Sequence, residues 1–169
     1  MPKSGVTLYA FLGCPPTIAV KEMGIKRSRK RMKTIKAIVI DDDPSVLIYL
    51  RQILQRRGYE VHTYDDPVES PLYKSSGCPC SMREAGCPDL IVSDFNMPVV
   101  NGVELLESAM EKGCRCRHLA LISAMGHMEE NLRRLAKYGT RYFTKPLDLD
   151  DFYPWLDKVE KEIAERPSV

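Results

Sequence analysis

From residue 35 onward the chain alternates short apolar runs with segments of helical period, and this alternation repeats five times. Few folds accommodate it. Residues 35–40 form a β-branched run of the kind buried on both faces of a parallel sheet. Residues 44–57 carry Val46, Leu47, Leu50, Ile53 and Leu54 at helical spacing, and Gly58 stops them. Residues 60–64 predict a second strand. Residues 67 to about 85 predict a helix and an irregular insert, because Pro71, Gly77, Pro79 and Gly86 interrupt the pattern. A third strand follows over 90–93, then a helix over 102–112 with Val103, Leu105, Leu106 and Met110 inward. A fourth strand over 119–123 leads to a helix over 128–138 closed by Gly139, and a fifth over 141–144 leads to a helix from 149 to about 165. Strands each followed by a helix imply parallel pairing through right-handed crossovers, hence a doubly wound, three-layer α/β sandwich around a five-stranded parallel sheet. A chain of 169 residues buries one such core, which argues against a multidomain enzyme, a receptor or a repeat array.

In an open parallel sheet ligands bind beyond the carboxyl ends of the strands. Here the first strand ends in Asp41-Asp42-Asp43, the third in Ser93-Asp94, the fourth in Ser123 and the fifth in Lys145. Carboxylates so close together repel one another. A hard cation such as Mg²⁺ relieves that repulsion by taking one or two carboxylates plus waters and phosphate oxygens. A carboxylate oxygen of Asp94 would then be left as a nucleophile able to form an aspartyl phosphate. The ammonium of Lys145 and the hydroxyl of Ser123 would offset charge on the transferred group, which is most of what phosphoryl transfer demands.

At these residues the chain resembles the receiver domains of two-component response regulators, of the stand-alone, chemotaxis-regulator type. The resemblance covers residue 34 to about residue 165 and rests on Ile38-Val39-Ile40-Asp41-Asp42-Asp43-Pro44, Ser93-Asp94-Phe95-Asn96-Met97-Pro98 with Asn101-Gly102, Ile122-Ser123-Ala124, and Lys145-Pro146. It implies a flavodoxin-like sheet of strand order 2-1-3-4-5. Asp94 is then the phosphoacceptor, with Mg²⁺ held by Asp42, Asp94 and the backbone carbonyl of Asn96, and Asp41 assisting through water. Lys145 pairs with the phosphoryl group, Ser123 is the switch hydroxyl, and Tyr142 is the aromatic that turns inward behind it. Asn96 and Met125 flank the route of attacking water. The implied partners are a histidine kinase as phosphodonor and a downstream protein docking on the face of the fourth helix, fifth strand and fifth helix. The Lys145-Pro146 bond is cis in the family.

Plainer roles compete at several positions. Asp43 suits a helix cap before Pro44, Tyr142 suits ordinary strand packing, and Met97, Met110 and Met128 suit the core. His118 and His127 read as surface or loop residues. Two positions depart from the family: Asn101 stands where an acid is common, and Pro154 is tolerable in the first helical turn but disruptive beyond it.

The formal charge of +2 divides unevenly, with +7 on residues 1–33 and −5 on residues 34–169. The first segment therefore reads as a basic, structureless leader and the second as the receiver domain. A start at Met32 would leave that domain whole. A secretion signal is disfavoured because the apolar stretch at 6–13 is short, and a membrane span because it falls far below the roughly 20 residues required. The expected location is the cytoplasm. Six cysteines are the least ordinary feature: Cys14 in the leader, then Cys78, Cys80 and Cys87 before the third strand and Cys114 and Cys116 before the fourth. The last five converge on the edge opposite the acidic cluster and could form a Zn²⁺ or redox site, although Cys-X-Cys is tighter than usual zinc spacing. Reduced structural thiols are the simpler reading.

The function these features favour is a phosphoacceptor that signals by protein contact, not an enzyme beyond turnover of its own phosphoryl group. Nucleic acid and membrane are not expected partners, and few residues remain after the last helix for an output module. Two alternatives stand: a DNA-binding regulator using the basic arm, and a metal-dependent phosphatase working through an aspartyl phosphate.

Overall fold

A computed structural model describes residues 34–74, 87–124 and 133–166. The elements run in order as β1 (Lys36–Ile40), α1 (Pro44–Arg56), β2 (Glu60–Tyr64), a 3₁₀ turn (Pro67–Glu69), α2 (Pro71–Lys74), β3 (Leu90–Asp94), α3 (Gly102–Glu111), β4 (His118–Ser123), α4 (described over 133–136), β5 (Arg141–Thr144) and α5 (Leu149–Ala164). The strands form one sheet in the order β2-β1-β3-β4-β5, every neighbouring pair parallel.

Two apolar layers sandwich the sheet because the middle of each central strand is apolar on both faces. Ala37, Val39, Leu90, Val92, Ala120 and Ile122 face Leu50, Leu54, Phe152 and Leu156 of α1 and α5. Ile38, Ile40, Ile91, Leu119 and Leu121 face Leu72, Val103, Leu106 and Leu135 on the other side. Phe143 meets Phe152 edge-on at a centroid distance of 5.0 Å and Trp155 at 5.3 Å, closing the first layer under β5. The second layer also takes Met97, Cys114 and Cys116, with Met110 and Tyr142 half-buried against it. Met128 and His127 lie outside the described residues.

Three expectations are corrected. Pro71 does not break a helix but begins α2, at the first helical position, where its missing N–H costs nothing. Pro154 lies beyond the first turn, yet α5 runs through it to Ala164. Asp148 accepts from Asp150 N at 2.9 Å to secure the start of this helix, and Phe152, Leu156, Val159 and Ile163 anchor its length in the core. His118 is neither surface nor loop: it is buried at the start of β4. Arg166 Nη2 lies 2.7 Å from its Nε2, and Glu162 Oε2 lies 3.8 Å from its Nδ1.

No helix among the described residues is long and apolar enough to cross a membrane.

Candidate functional site

The sheet register assembles the site. Ile40 is level with Ser93, so Asp41, one residue beyond β1, comes alongside Asp94 at the end of β3. Ser123 is level with Thr144, so Lys145 follows directly beside them. Asp41 and Asp94 are both buried, and Lys145 reaches between them, its Nζ 2.5 Å from Asp94 Oδ1 and 2.9 Å from Asp41 Oδ2. The second contact is ionic only, because Asp41 Oδ2 has no hydrogen-bond partner in line with it. Its Oδ1 accepts from Asp43 N at 2.9 Å.

Burial holds the Asp94 carboxyl above the usual carboxylate range, and the Lys145 hydrogen bond and charge pull against that shift. The negative charge of Asp41 adds to it, while the backbone N–H of Asn96 favours the ionised form. Burial also works to lower Lys145, but its ion pairs with Asp94 and Asp41 outweigh it and raise the lysine. One ammonium thus faces two buried carboxylates. Such a set has anionic oxygen to spare.

The other predicted residues take distinct places. Asp42 is exposed at the rim. Asp43 caps α1, accepting from Ser45 N at 2.8 Å, and that backbone bond lowers its pKa. Ser123 is buried with its hydroxyl donating to Ala124 O at 2.9 Å. Tyr142 is half-buried, and burial pushes its hydroxyl up to about 12. The Lys145-Pro146 peptide is cis. Asn96 is exposed on the loop that follows β3, and Met125 lies outside the described residues. A cleft of about 360 Å³, lined by Ser45, Val46, Tyr49 and Leu147 among others, opens beside Lys145 between α1 and the β5–α5 connection.

Sequence reasoning overlooked two features of the β3–α3 loop. Asn101 caps α3, accepting from Glu104 N at 2.9 Å, so the position where an acid is common keeps its capping oxygen. Gly102 lies so close to Asp94 that a Cβ there would sit 2.0 Å from the Asp94 carbonyl oxygen. A polar residue followed by glycine at the start of an apolar helical period was the available signal for both.

A metal has hard oxygen donors to meet here. Asp41 Oδ2 lacks a hydrogen-bond partner and Asp42 is solvent-accessible, which suits a hydrated divalent cation more than a closed cage. Among the described residues no group of three or more His, Cys, Asp or Glu side chains is drawn together to hold a metal by itself. The zinc reading of the cysteines is therefore not supported. Cys116 is buried with its thiol donating to His118 O at 3.4 Å, and burial pushes its pKa well up, keeping it protonated. Cys87 Sγ accepts from Arg115 N at 3.3 Å and Cys114 is buried. Cys14, Cys78 and Cys80 lie outside the described residues.

Comparison with known proteins points one way. The model of the response regulator receiver domain matches residues 37–156. The chain is 31% identical over 136 residues to the C4-dicarboxylate transport transcriptional regulatory protein DctD of Pseudomonas aeruginosa, covering 78% of this chain and 26% of that protein. It is 29% identical over 117 residues to the transcriptional regulatory protein KdpE of Mycobacterium tuberculosis, covering 68% and 46%. The chain thus spans about half or less of the curated relatives it matches. Among solved structures, a CheY-like receiver domain protein from Methanospirillum hungatei superposes with a TM-score of 0.61 at 23% identity, covering 78% of this chain and 97% of that one. The chemotaxis protein CheY4 of Vibrio cholerae gives 0.58 at 23%, covering 75% and 99%. At these identities the structural likeness speaks for the fold alone.

Proposed function

The chain belongs to the response regulator receiver domains, and on that premise we propose that it accepts a phosphoryl group from a histidine kinase on Asp94 and signals by protein contact. The observation that carries this reading is the ion pair of Lys145 Nζ with Asp94 Oδ1 at 2.5 Å, shared with Asp41 on the neighbouring strand. It supports the reading because the Asp94 carboxylate, a fixed positive charge and a second carboxylate share one strand edge.

Asp42, Asp94 and the carbonyl of Asn96 would hold Mg²⁺, with Asp41 assisting through water. When bound, the cation neutralises charge on the phosphoryl oxygens and on the carboxylates around the acceptor. The chain's own residues do the rest. Asp94 attacks phosphorus through a carboxylate oxygen, and the bond from phosphorus to the kinase's histidine nitrogen breaks as the new acyl phosphate bond forms. Lys145 then exchanges part of its pairing with Asp94 for a phosphoryl oxygen. Ser123 gives up its bond to the Ala124 carbonyl for another phosphoryl oxygen, and Tyr142 moves inward behind it. Phosphate contacts made only in that arrangement shift the population toward it. The surface that changes is that of α4, β5 and α5, the docking face for the downstream partner. Asn96, on the loop after β3, flanks the path of hydrolytic water and tunes the lifetime of the phosphoryl group, and turnover is limited to that group. The receiver unit is assigned to residues 34–169, with 1–33 as a basic leader, and a kinase phosphodonor puts the domain in the cytoplasm.

Incubating the full chain with acetyl phosphate and Mg²⁺, followed by intact-mass measurement, tests the reading. One added phosphoryl group is expected, abolished by chelating the cation and by Asp94→Asn. Continued turnover of small phosphate esters, or labelling that survives in Asp94→Asn, would overturn it.

A further inference from the structure

The loop from Asp94 to Gly102 is pinned at both ends. Phe95 N donates to Ile122 O at 2.8 Å and Gly102 N donates to Phe95 O at 3.0 Å. Gly102 abuts the Asp94 carbonyl with no room for a side chain. Asn101 is fixed as the cap of α3, and Met97 is buried in the core. The span left to close the loop is Pro98-Val99-Val100, where Val100 N donates to Pro98 O at 2.8 Å and Val99 takes φ 70°. A three-residue turn of this form is rare and strained. A β-branched residue is the least suited to it, since its Cβ substituents crowd the backbone in the left-handed region. No packing offsets the strain, because Val99 is 80% exposed. An uncompensated outlier three residues from the Asn96 carbonyl invites a functional explanation.

We infer that Val99 is a positioning residue: its branched side chain keeps part of the population in a relaxed turn, and so sets how often the β3–α3 loop holds Asn96 in place for a divalent cation. The inference rests on the proposed cation site. A ligand that binds only one of two loop forms has its apparent affinity reduced by the fraction of that form. Relieving the strain at Val99 raises that fraction without touching any ligand. Glycine adopts a positive φ freely, asparagine tolerates it, and isoleucine retains the branch.

The test is calorimetric titration of the full chain with Mg²⁺, paired with hydrogen exchange at the Val100 and Gly102 amides. Val99→Gly is expected to bind Mg²⁺ about fivefold more tightly, the equivalent of about 1 kcal/mol, and to exchange both amides more slowly. Val99→Asn should move the same way, and Val99→Ile should match the wild type. Wild-type affinity in Val99→Gly, or an equal gain in Val99→Ile, would overturn the inference and leave the cation site standing. Absence of Mg²⁺ binding in every form, including the wild type, would overturn the cation site and the inference together.

Discussion

Asp94 is costly to the fold for the same reasons that make it useful. Its carboxylate is buried, shares one ammonium with Asp41, and is held above the ordinary carboxylate range by that burial. In the unfolded chain it titrates near its ordinary value, so between there and its raised native pKa the folded protein binds more protons than the unfolded one. Stability therefore falls as pH rises through that window. Asp94→Asn removes the titration and the like-charge contact with Asp41, while Asn can still accept from Lys145. The variant is expected to be more stable than the wild type by about 1 kcal/mol at neutral pH, with the gain shrinking as pH falls toward 4. Urea unfolding of both proteins across that range checks it, and a gain independent of pH would mean that Asp94 ionisation is not its source. Lys145 and Asp94 were legible in the sequence because each ends an apolar run. The geometry of Ser123 was not, since residue type does not say that its hydroxyl donates to Ala124 O.

Among the elements, α3 bears most directly on Asp94, because Gly102 at its first position packs on the Asp94 carbonyl. Its start is secured by Asn101, whose side-chain oxygen satisfies the Glu104 N–H. Asn101→Ala should cost about 1 kcal/mol in chemical unfolding, whereas Asn101→Asp should cost little, because the carboxylate caps equally well and favours the positive end of the helix. Equal losses in the two variants would argue that the side chain does more than cap. The strands were legible to within about a residue, since burial on both faces of the three central ones constrains their composition. Turn chemistry was harder to read. Pro71 was ambiguous because proline both ends helices and begins them, and only the Ser70 carbonyl ahead of it, accepting from Tyr73 N at 3.2 Å and Lys74 N at 3.3 Å, decides. Pro154 misled because four core contacts along α5 outweigh what one proline removes. Val99 gave no signal at all: its left-handed φ follows from two anchors pinned by tertiary contacts, which no local pattern encodes.

At the scale of the molecule, the sheet has a charged cluster at each end. The strand carboxyl ends hold Asp41, Asp94 and Lys145; the opposite edge holds Asp89, His118, Glu162 and Arg166, which tie the end of α5 back to the strands. Asp89 Oδ2 accepts from Lys36 N at 3.1 Å, and Arg166 Nη1 lies 3.6 Å from Asp89 Oδ1. Arg166 also donates to His118 Nε2 at 2.7 Å, so that nitrogen must be the acceptor and the ring proton sits on Nδ1, facing Glu162. This partnership spans 48 residues of sequence, which is why the histidine read as a surface residue. Burial lowers the pKa of His118, and the charges of Arg166 and Arg117 lower it further against the opposing pull of Glu162 and Asp89. The native state therefore keeps the ring neutral where the unfolded chain would already bind a proton. The stability it contributes is complete above about pH 6.5 and is lost as pH falls from there through the lowered native pKa. Protonation would also place a second positive charge against Arg166 and loosen the end of α5. Unfolding midpoints should drop between about pH 7.5 and about pH 5.5, and His118→Gln, which keeps an acceptor for Arg166 without a titrating ring, should remove most of that drop. Arg166→Ala should shrink it as well, since the charge that depresses the histidine is gone. If both variants keep the full drop, the acid sensitivity of this fold lies elsewhere than at the base of its sheet.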